Sequence, residues 1–502
     1  MTLAKLLQGV TVTKMFQTVY GRMAVTQDIE VQGIQYDSRR IGHEQLFVAI
    51  PGMALDGHSF IGEAIHRGAT VVVVQDDAVL PDSYFQHASV TKIVVPDSRK
   101  ALATMSANLY NHPSARLRLV GVTGTNGKTT TSYLIKAILE ERGERVGLIG
   151  TIQHMMGDTT IPATHTTPES LDLNALLASM VEKGCTAAVM EVSSHSLSLS
   201  RVHGLDFAAA VFTNLTQDHL DFHGSMEEYF KAKKLLFDSL SPVASAITNA
   251  DDSYGKMILQ DTKGRKLSYG SSTTADIRAH SLDLSVQGTT FSVNYEEASQ
   301  RVESSLIGRF NVANILAAYA SGIALGIPHQ HIATGISHVP SVRGRFERIV
   351  SPQGWTAVVD YAHTPDALEN CLRTIRDLLP PKKDNRGITI FGCGGTRDRG
   401  KRPKMARIAT QLSDVTIITS DNPRKEDPQT IIDEIRNGTL SNATVYTEVD
   451  RHNAIIKGLT LAQQGDVVLV AGKGHEDYQV AGETKTHFDD REEIETFIRN
   501  SQ

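Results

Sequence analysis

Short apolar runs alternate with longer amphipathic segments through most of the chain. Residues 46–50 and 71–74 are typical of buried strands, whereas residues 60–67 between them show the spacing of a helix. Strands that alternate with helices indicate a parallel sheet with helices packed against it. The pattern therefore predicts the α/β fold class.

The same pattern divides the chain into three predicted domains. Residues 1–100 form a small mixed α/β unit, residues 101–341 a central parallel-sheet unit, and residues 342–502 a doubly wound unit of Rossmann type. Residues 264–301 alternate over short distances between turn residues and are expected to form an antiparallel flap. Further predicted strands are 93–95, 119–122, 146–149, 187–192, 208–213, 244–248, 356–359, 388–391, 415–418 and 466–470, and further predicted helices are 101–110, 128–142, 170–183, 225–240, 366–378, 402–412 and 428–435.

One long stretch, residues 310–342, contains no Asp, Glu, Lys or Arg. Its longest apolar run, residues 315–328, is short for a bilayer, and the stretch also holds Asn311 and Asn314. We expect a buried helix here rather than a membrane span.

Composition narrows the possible functions. The 502 residues are 40% hydrophobic, enough for real cores, and 50 basic against 56 acidic residues give a net charge of −6. This mild acidity argues against a general nucleic-acid binder. Cys185, Cys371 and Cys393 form no CxxC pair, and the N-terminal residues lack the apolar core of a signal peptide. We therefore expect a cytoplasmic protein without a structural zinc site.

Residues 121–130, Gly-Val-Thr-Gly-Thr-Asn-Gly-Lys-Thr-Thr, connect a predicted strand to a predicted helix. Glycines allow backbone amides to approach phosphate oxygens, and the start of a helix favours an anion. Lys128 can neutralise the β- and γ-phosphates, and the Thr129 hydroxyl can bind Mg²⁺. Val122 stands where the strict GxxxxGK[ST] pattern has glycine, so the loop is a variant of that pattern. The alternative is an ordinary glycine-rich turn.

Two polar side chains follow neighbouring predicted strands. Glu191 ends one strand, and His219 lies shortly after the next. Because ligands bind at the carboxyl ends of strands in open α/β sheets, we expect both near the phosphate loop, where they could hold Mg²⁺. From the residues alone, His219 could instead be a capping or core histidine. Glu191 could be a surface carboxylate, although its apolar neighbours disfavour that.

Lys233 interrupts an apolar stripe on the predicted helix 225–240. At 100° per residue it shares a face with Tyr229, Leu236 and Leu240. A buried ammonium is costly unless it is paired or chemically altered. Periodicity alone favours a side chain that reaches solvent or pairs with an acid.

Further motifs lie along the chain and accompany the phosphate loop. They are Glu-Val-Ser-Ser-His (191–195), Asp-His-Leu-Asp-Phe-His (218–223), Gly-Arg-Phe-Asn-Val-Ala-Asn (308–314), Gly-Arg-Phe-Glu (344–347), Asp-Tyr-Ala-His-Thr-Pro-Asp (360–366), Gly-Gly-Thr-Arg-Asp-Arg-Gly-Lys-Arg-Pro (394–403), Asp-Asn-Pro-Arg (421–424) and Gly-Lys-Gly-His-Glu-Asp-Tyr-Gln (472–479). Over essentially its whole length the chain thus resembles the Mur ligases, ATP-dependent enzymes that form amide bonds in peptidoglycan synthesis. The last two motifs resemble those of members that add meso-diaminopimelate to UDP-N-acetylmuramoyl-L-alanyl-D-glutamate.

The resemblance implies a role for each segment. Thr129 and Glu191 would hold one Mg²⁺, and Glu191, His219 and a carbamylated Lys233 a second. Lys233 follows the family's Tyr-x-x-Ala pattern, which overrides the interpretation from periodicity. The implied catalytic residues are Lys128, Glu191, His219 and Lys233, and the implied ATP contacts are Gly124, Thr125, Asn126, Gly127, Lys128, Thr129, Thr130, Asn311, Arg345 and Asp360.

The resemblance also implies two further subsites. The UDP-muramoyl dipeptide would contact Ser38, Thr166, Thr167, Ser193 and Arg201. The diaminopimelate would contact Arg397, Asp421, Asn422, Pro423, Arg424, Gly472 and Glu476. Leu199 stands where some members have a polar residue, so one muramoyl contact is expected to differ here. From its sequence context alone, Arg424 could be a solvated charge in a charged run.

The implied chemistry is the activation of the D-Glu γ-carboxylate by ATP as an acyl phosphate, followed by attack of the diaminopimelate amine. Because water must be kept from the acyl phosphate, the third domain is expected to close on the second. ATP, the dipeptide and diaminopimelate are the expected partners, with no nucleic acid, membrane or obligate protein partner. The alternatives are a lysine-adding homologue, a ligase like folylpolyglutamate synthetase, or a P-loop NTPase switch.

Overall fold

The computed structural model describes residues 1–16, 29–52, 55–379 and 385–501. The N-terminal unit contains the strands β1 (Lys14–Phe16), β2 (Gly33–Gln35), β3 (Gln45–Val48), β4 (Ala69–Val74) and β5 (Thr91–Val94) and the helices α1 (Leu3–Leu6), α2 (Ile61–His66), α3 (Asp82–Ala88) and α4 (Ser98–Leu109). The five strands form a sheet in the order β1-β5-β4-β3-β2, parallel except for β1. The strands and the helix predicted in this unit are thereby confirmed.

Helix α4 belongs to the N-terminal core. Its residues Ala101, Leu102 and Met105 are buried in the same hydrophobic cluster as Leu46 and Val71 of the first sheet. A domain boundary at residue 100 would cut through this helix. We therefore propose that the first domain extends to the end of α4 instead.

The central unit is built on one wide sheet. Its strands are β6 (Arg118–Thr123), β7 (Val146–Ile149), β8 (Gln153–Met156), β9 (Thr159–Pro162), β10 (Ala187–Glu191), β11 (Ala209–Phe212), β12 (Ser245–Asn249), β13 (Arg265–Gly270), β14 (Ile277–Ser285), β15 (Gly288–Tyr295) and β16 (Ala298–Ser304). Its helices are α5 (Lys128–Glu141), α6 (Ser170–Glu182), α7 (Ser194–Ser198), α8 (Leu220–His223), α9 (Met226–Asp238), α10 (Gly255–Ile258), α11 (Arg309–Ala324) and α12 (His329–Ser337).

The eleven strands run in the order β16-β15-β14-β13-β12-β11-β6-β10-β7-β8-β9. The seven from β14 to β7 are parallel, and antiparallel hairpins extend both margins. The antiparallel pairing expected within 264–301 is present in β14 to β16, but these strands continue the main sheet, and β13 pairs parallel with β12. The hairpin of β8 and β9 was not predicted.

Strand β6 lies at the centre of this sheet, and both of its faces are buried. Val120 and Val122 pack into the cluster that holds α5 and α11, while Leu119 packs into the cluster on the opposite face. Strands that are buried on both faces carry continuous apolar runs, and these runs allowed the strands to be predicted from the sequence.

The uncharged stretch 310–342 forms α11 and α12. The middle of α11, from Ile315 to Ala320, is buried in the core of the central unit. Among the described residues, no helix is long and apolar enough to cross a membrane.

The C-terminal unit contains the strands β17 (Glu347–Val350), β18 (Thr356–Asp360), β19 (Gly387–Phe391), β20 (Val415–Thr419), β21 (Thr444–Glu448), β22 (Val467–Ala471), β23 (Tyr478–Ala481) and β24 (Thr484–His487) and the helices α13 (Pro365–Leu378), α14 (Lys401–Leu412), α15 (Pro428–Arg436), α16 (Arg451–Leu461) and α17 (Asp490–Asn500). Six strands form a sheet in the order β17-β18-β22-β19-β20-β21, parallel except for β17. The predicted three-domain α/β architecture is confirmed.

The two larger units touch at the phosphate loop. Asp366, in the first turn of α13, accepts hydrogen bonds from Thr216 Oγ1 (3.0 Å) and Asn126 Nδ2 (3.3 Å). The carboxyl ends of the central strands therefore face the C-terminal unit, and the candidate site lies between the two.

Candidate active site

The phosphate loop connects β6 to α5 and is fixed by the segment that follows β11. Gly124 and Gly127 have φ values of +149° and +86°, and a Cβ atom on Gly127 would lie 2.2 Å from Asn314 Oδ1. Asn126 N donates to Asn214 Oδ1 (2.9 Å), and Thr213 Oγ1 donates to Asn126 O (2.6 Å). Only glycine fits the close approach to α11, so the loop conformation is built into the sequence.

Two lysine side chains meet at one backbone carbonyl of this loop. Lys128 Nζ and Lys233 Nζ donate to Gly124 O at 2.9 and 2.8 Å. Lys233 is 1% exposed and, within the residues that the structure describes, no carboxylate lies at ion-pair distance from it. Burial, and then the charge of Lys128, lowers the pKa of Lys233. Lys233 lies on the buried face of α9, as the periodicity predicted. Among the described residues it has neither the solvent access nor the acidic partner that periodicity alone favoured.

Glu191 ends β10 directly beside the start of α5. Its carboxylate is buried and accepts hydrogen bonds from Thr129 Oγ1 (3.0 Å), Thr151 Oγ1 (2.9 Å) and Thr151 N (2.9 Å). Glu191 is therefore not a surface carboxylate. A carboxylate and a hydroxyl at this distance are a suitable oxygen pair for Mg²⁺.

His219 is the N-cap residue directly before the short helix α8 and has a left-handed backbone with φ +53°. Its ring lies edge-on to those of His195 (4.8 Å between centroids) and Tyr229 (6.2 Å). Burial lowers the pKa of His219, so the imidazole is neutral at physiological pH and able to bind a metal. Within the described part of the chain, no group of three or more His, Cys, Asp or Glu side chains is arranged to hold a metal ion. The implied metal set includes the Thr129 hydroxyl and Lys233, which are outside those residue types.

The residues implied for the dipeptide lie around Glu191, with one exception. Thr167 Oγ1 donates to Glu191 O (2.8 Å), and Ser193 N donates to Thr167 Oγ1 (3.2 Å). Arg201 Nη1 donates to Thr167 O (3.0 Å), and Thr166 lies 3.0 Å from the Thr151 hydroxyl, oxygen to oxygen. The exception is Ser38, which is buried in the N-terminal unit, where it donates to Glu63 Oε2 (2.8 Å). Leu199 directly follows the helix α7 nearby and is partly exposed.

The residues implied for the adenosine lie between α11 and β18. Asn314 Nδ2 donates to Asn311 Oδ1 (2.9 Å), which connects Asn311 to the phosphate loop through Gly127. Phe310 and Phe346 stack edge to face with centroids 5.2 Å apart, and Phe346 N donates to Asp360 Oδ2 (2.6 Å).

Arg345 lies beside this group, with its guanidinium 4.9 Å from the centroid of the Tyr361 ring. Burial raises the pKa of Asp360, and the charge of Arg345 opposes that change. The buried Arg345 Nε has no hydrogen-bond partner among the described residues, so it is available to a ligand.

A second polar site lies at the carboxyl ends of β19, β20 and β22. Asn422 Nδ2 donates to Glu476 Oε2 (2.8 Å), and Gly472 N donates to Asp360 O (3.0 Å). Arg424 Nη1 donates to Gly395 O (3.1 Å), close to Arg397 across Gly394. The structure therefore brings all the residues implied for diaminopimelate together, namely Arg397, Asp421, Asn422, Pro423, Arg424, Gly472 and Glu476.

The backbone of Arg424 is held in a left-handed conformation with φ +52°, unusual for a residue with a side chain. Backbone bonds to the hairpin maintain it, because Arg424 N donates to Val480 O (2.9 Å) and Gly482 N to Arg424 O (2.6 Å). Such strain persists where surrounding structure fixes it and is common at ligand sites. Arg424 is therefore a positioned side chain and not a solvated charge.

Sequence reasoning missed three residues of the site. Thr151 donates a hydrogen bond to the Glu191 carboxylate. Glu169 accepts a hydrogen bond from Arg99 Nη1 (3.1 Å) and lies 3.3 Å from Arg201 Nε. Lys473 is fully buried between Asp421 and Glu476. Burial lowers the pKa of Lys473 and raises that of Glu476. Lys473 and Glu169 each carried a signal, since they stand inside the motifs Gly-Lys-Gly-His-Glu-Asp-Tyr-Gln (472–479) and His-Thr-Thr-Pro-Glu (165–169), whereas Thr151 stands in no motif.

Comparison with known families assigns the chain to a class of protein. The chain matches the models of the "Mur ligase family, catalytic domain" at residues 30–110, the "Mur ligase middle domain" at 122–322 and the "Mur ligase, glutamate ligase domain" at 344–474. These matches define the class of protein as an ATP-dependent ligase that forms amide bonds.

Two relatives extend the match to nearly the whole length. The UDP-N-acetylmuramoyl-L-alanyl-D-glutamate–2,6-diaminopimelate ligases of Clostridium botulinum and Parabacteroides distasonis are 44% and 45% identical to this chain. The alignments cover 94% and 95% of the chain and 95% and 96% of the relatives. The chain belongs to the Mur ligase family. A solved structure of a ligase of the same name has 33% identity and a TM-score of 0.69, covering 97% of this chain and 99% of that one.

Proposed function

We propose that this protein uses ATP to join meso-diaminopimelate to the D-Glu γ-carboxylate of UDP-N-acetylmuramoyl-L-alanyl-D-glutamate, in the cytoplasm, as a step of peptidoglycan precursor synthesis. The observation that carries the proposal is the near-full-length similarity to two ligases named for this substrate and amino acid. The two polar sites, on facing edges of the central and C-terminal sheets, support it.

The phosphate loop would bind the ATP triphosphate. Lys128 is placed to compensate the charge that develops on the transferring phosphate, and its surroundings are dry enough that burial lowers its pKa. Asn311, Arg345 and Asp360 would hold the adenosine between α11 and β18. The guanidinium of Arg345, stacked on Tyr361, offers its free Nε to the nucleotide.

The side chains beside the loop fit a Mg²⁺ site. Thr129 and Glu191 provide two oxygen donors 3.0 Å apart, and neutral His219 and a carbamylated Lys233 would complete the set. When bound, Mg²⁺ would screen the phosphate charges and polarise the phosphoryl group. A carbamate replaces the positive charge of Lys233 by a negative one, which suits a position next to Lys128.

The reaction would take place between these residues in two steps. A γ-carboxylate oxygen of D-Glu would attack the γ-phosphorus, with loss of ADP, to give an acyl phosphate. The neutral amine of diaminopimelate would then attack the acyl carbon, lose a proton, and expel inorganic phosphate. Thr166, Thr167, Ser193 and Arg201 would orient the dipeptide beside Glu191. Ser38 would contact its nucleotide end from the N-terminal unit.

The amino acid would lie against the C-terminal strands. Diaminopimelate has a second carboxylate beside its distal ammonium, and a guanidinium matches a carboxylate with two parallel hydrogen bonds. Arg424 would make this contact, and Asp421, Asn422 and Glu476 provide acceptors for the ammonium. The contact of Asp366 with the phosphate loop would keep the C-terminal unit against the ATP site and so help to exclude water from the acyl phosphate.

The experiment is one reaction mixture of protein, ATP, Mg²⁺ and the UDP-muramoyl dipeptide, divided among meso-diaminopimelate, L-lysine, L-glutamate and no amino acid, and analysed by mass. We expect the tripeptide and equimolar ADP only with meso-diaminopimelate. A product with L-lysine alone would identify the lysine-adding homologue, and one with L-glutamate a ligase like folylpolyglutamate synthetase. Phosphate release without dipeptide would identify an NTPase switch and contradict the proposal.

A further inference from the structure

A buried ion pair lies directly behind the diaminopimelate site. Arg451 is the first residue of α16 and Asp490 the first residue of α17, and both side chains are 0% exposed. Arg451 Nε and Nη2 donate to the two oxygens of Asp490, each at 2.7 Å. This bidentate contact fixes the plane of the guanidinium and therefore the direction of its remaining N–H groups.

Those remaining N–H groups reach the backbone of two site loops. Arg451 Nη1 donates to Ser420 O (3.3 Å), and Nη2 donates to Ala471 O (3.1 Å). Ser420 immediately precedes Asp421, and Ala471 immediately precedes Gly472. One guanidinium therefore ties together the two turns that present Asp421 to Arg424 and Gly472 to Glu476.

The acceptor of the pair is itself fixed. The neighbours of Asp490 each bind a separate part of the C-terminal unit: Asp489 pairs with Arg343, and Arg491 Nη1 donates to Glu347 Oε1 (2.8 Å). The start of α17 is thus anchored at three consecutive residues. Asp490 is a rigid support for Arg451 and not a surface group that could follow its movement.

We infer that Arg451 and Asp490 are positioning residues for the amino-acid substrate, acting through the backbone of the two loops, an inference that rests on the proposed function. Both side chains are fully buried behind the two loops. The pair sets the distance between Arg424 and Glu476, which are carried on different loops. Misplacement of a binding group by about 1 Å is enough to cost on the order of a hundredfold in rate, and supporting residues typically contribute about 10- to 100-fold.

The test compares Asp490→Asn with a matched variant, Asp466→Asn. Asp466 is a buried carboxylate (2% exposed) that pairs with the partly exposed Arg386 (2.8 Å) in the same unit, but at the amino ends of β19 and β22 and away from both loops. The measurements are KM and kcat for each of the three substrates and the midpoint of urea unfolding. Arg451→Lys is a second variant, which keeps the charge but cannot make all four hydrogen bonds.

We expect Asp490→Asn to raise KM for meso-diaminopimelate at least tenfold and to change KM for ATP and the dipeptide less than twofold. Arg451→Lys should show the same selective effect even if Asp490→Asn does not fold. Asp466→Asn should lower the unfolding midpoint without altering any KM. Equal changes in all three KM values, or an unchanged KM for the amino acid, would overturn the inference while the proposed function stood. A wild-type protein that makes no product would overturn both.

Discussion

Lys233 offers the sharpest test of the proposed chemistry, because its charge determines the sign of a stability change. The change we consider is Lys233→Met, which removes the charge and keeps most of the volume. Lys128 Nζ and Lys233 Nζ both lie within 2.9 Å of Gly124 O, so the two nitrogens are close neighbours. Two positive charges about 5 Å apart at an effective dielectric constant of 20 repel each other by about 3 kcal/mol.

An ammonium and a carbamate at Lys233 therefore predict opposite outcomes. If Lys233 is an ammonium, Lys233→Met relieves the repulsion and stabilises the protein. If it is a carbamate, an attraction of similar size is lost, and the variant is less stable. We expect the second outcome in bicarbonate buffer, with a loss of about 3 kcal/mol in the free energy of unfolding. We also expect ligation at least a hundredfold slower, the usual cost of losing one electrostatic group at a reacting centre.

The assay is urea unfolding and ligation of both proteins in bicarbonate buffer and in buffer freed of carbon dioxide. Removal of carbon dioxide should destabilise and inactivate the wild type and leave Lys233→Met unchanged. Lys231→Met is the control, because Lys231 lies on the exposed side of the same helix and pairs with Glu227 and Glu228 at the surface. A Lys233→Met protein that is more stable than wild type in both buffers, or that ligates at the wild-type rate, would refute the reasoning.

Three further outcomes follow from the site. Lys128→Ala should lower kcat for ligation by a hundredfold or more with little change in KM for the dipeptide, because its ammonium acts on the transferring phosphate; steady-state kinetics would contradict this if only KM rose. Arg424→Ala should abolish the preference for meso-diaminopimelate over L-lysine, which we expect to be on the order of a thousandfold in the wild type. The loss should come mainly from weaker binding of diaminopimelate. A competition assay analysed by mass would contradict the role of Arg424 if the variant kept its selectivity. Burial lowers the pKa of His195 to about 4, so the unfolded chain takes up a proton below pH 6.5 that the folded chain cannot, and stability should fall as the pH drops from about 6.5 to 4. Urea unfolding of His195→Gln should show a weaker dependence in that interval, and an identical dependence would contradict the assignment.

The local pattern of apolar residues was sufficient to predict the strands and the helix that form the phosphate site. β6, β10 and β11 are buried on both faces, so their apolar runs were visible, and Lys128 and Thr129 lie in one continuous loop. Glu191 could be placed near them because it ends a neighbouring strand. The edge hairpin of β8 and β9 was missed because β9 is exposed throughout and carries no apolar periodicity.

The parts that could not be predicted depend on contacts between distant segments. The Glu169 carboxylate lies next to Arg99 and Arg201, which are 70 residues before it and 32 after it. Arg451 reads as an ordinary charged residue at a helix start, and only the packed structure places its guanidinium against Ser420 and Ala471. Residues 264–301 showed the correct antiparallel alternation, but alternation does not say which sheet the strands join.

The central position of β6 has a consequence for how the protein is made. Both neighbours of β6 in the sheet, β10 and β11, come later in the chain, so a nascent polypeptide that ends before Phe212 has at least one unpaired edge on this strand. Parallel pairing across such separations is intrinsically slow, and unpaired edges invite association with other chains. The phosphate loop therefore acquires its support from Thr213 and Asn214 only after these residues have been synthesised. Until then, the unpaired edge of β6 is open to association with other chains.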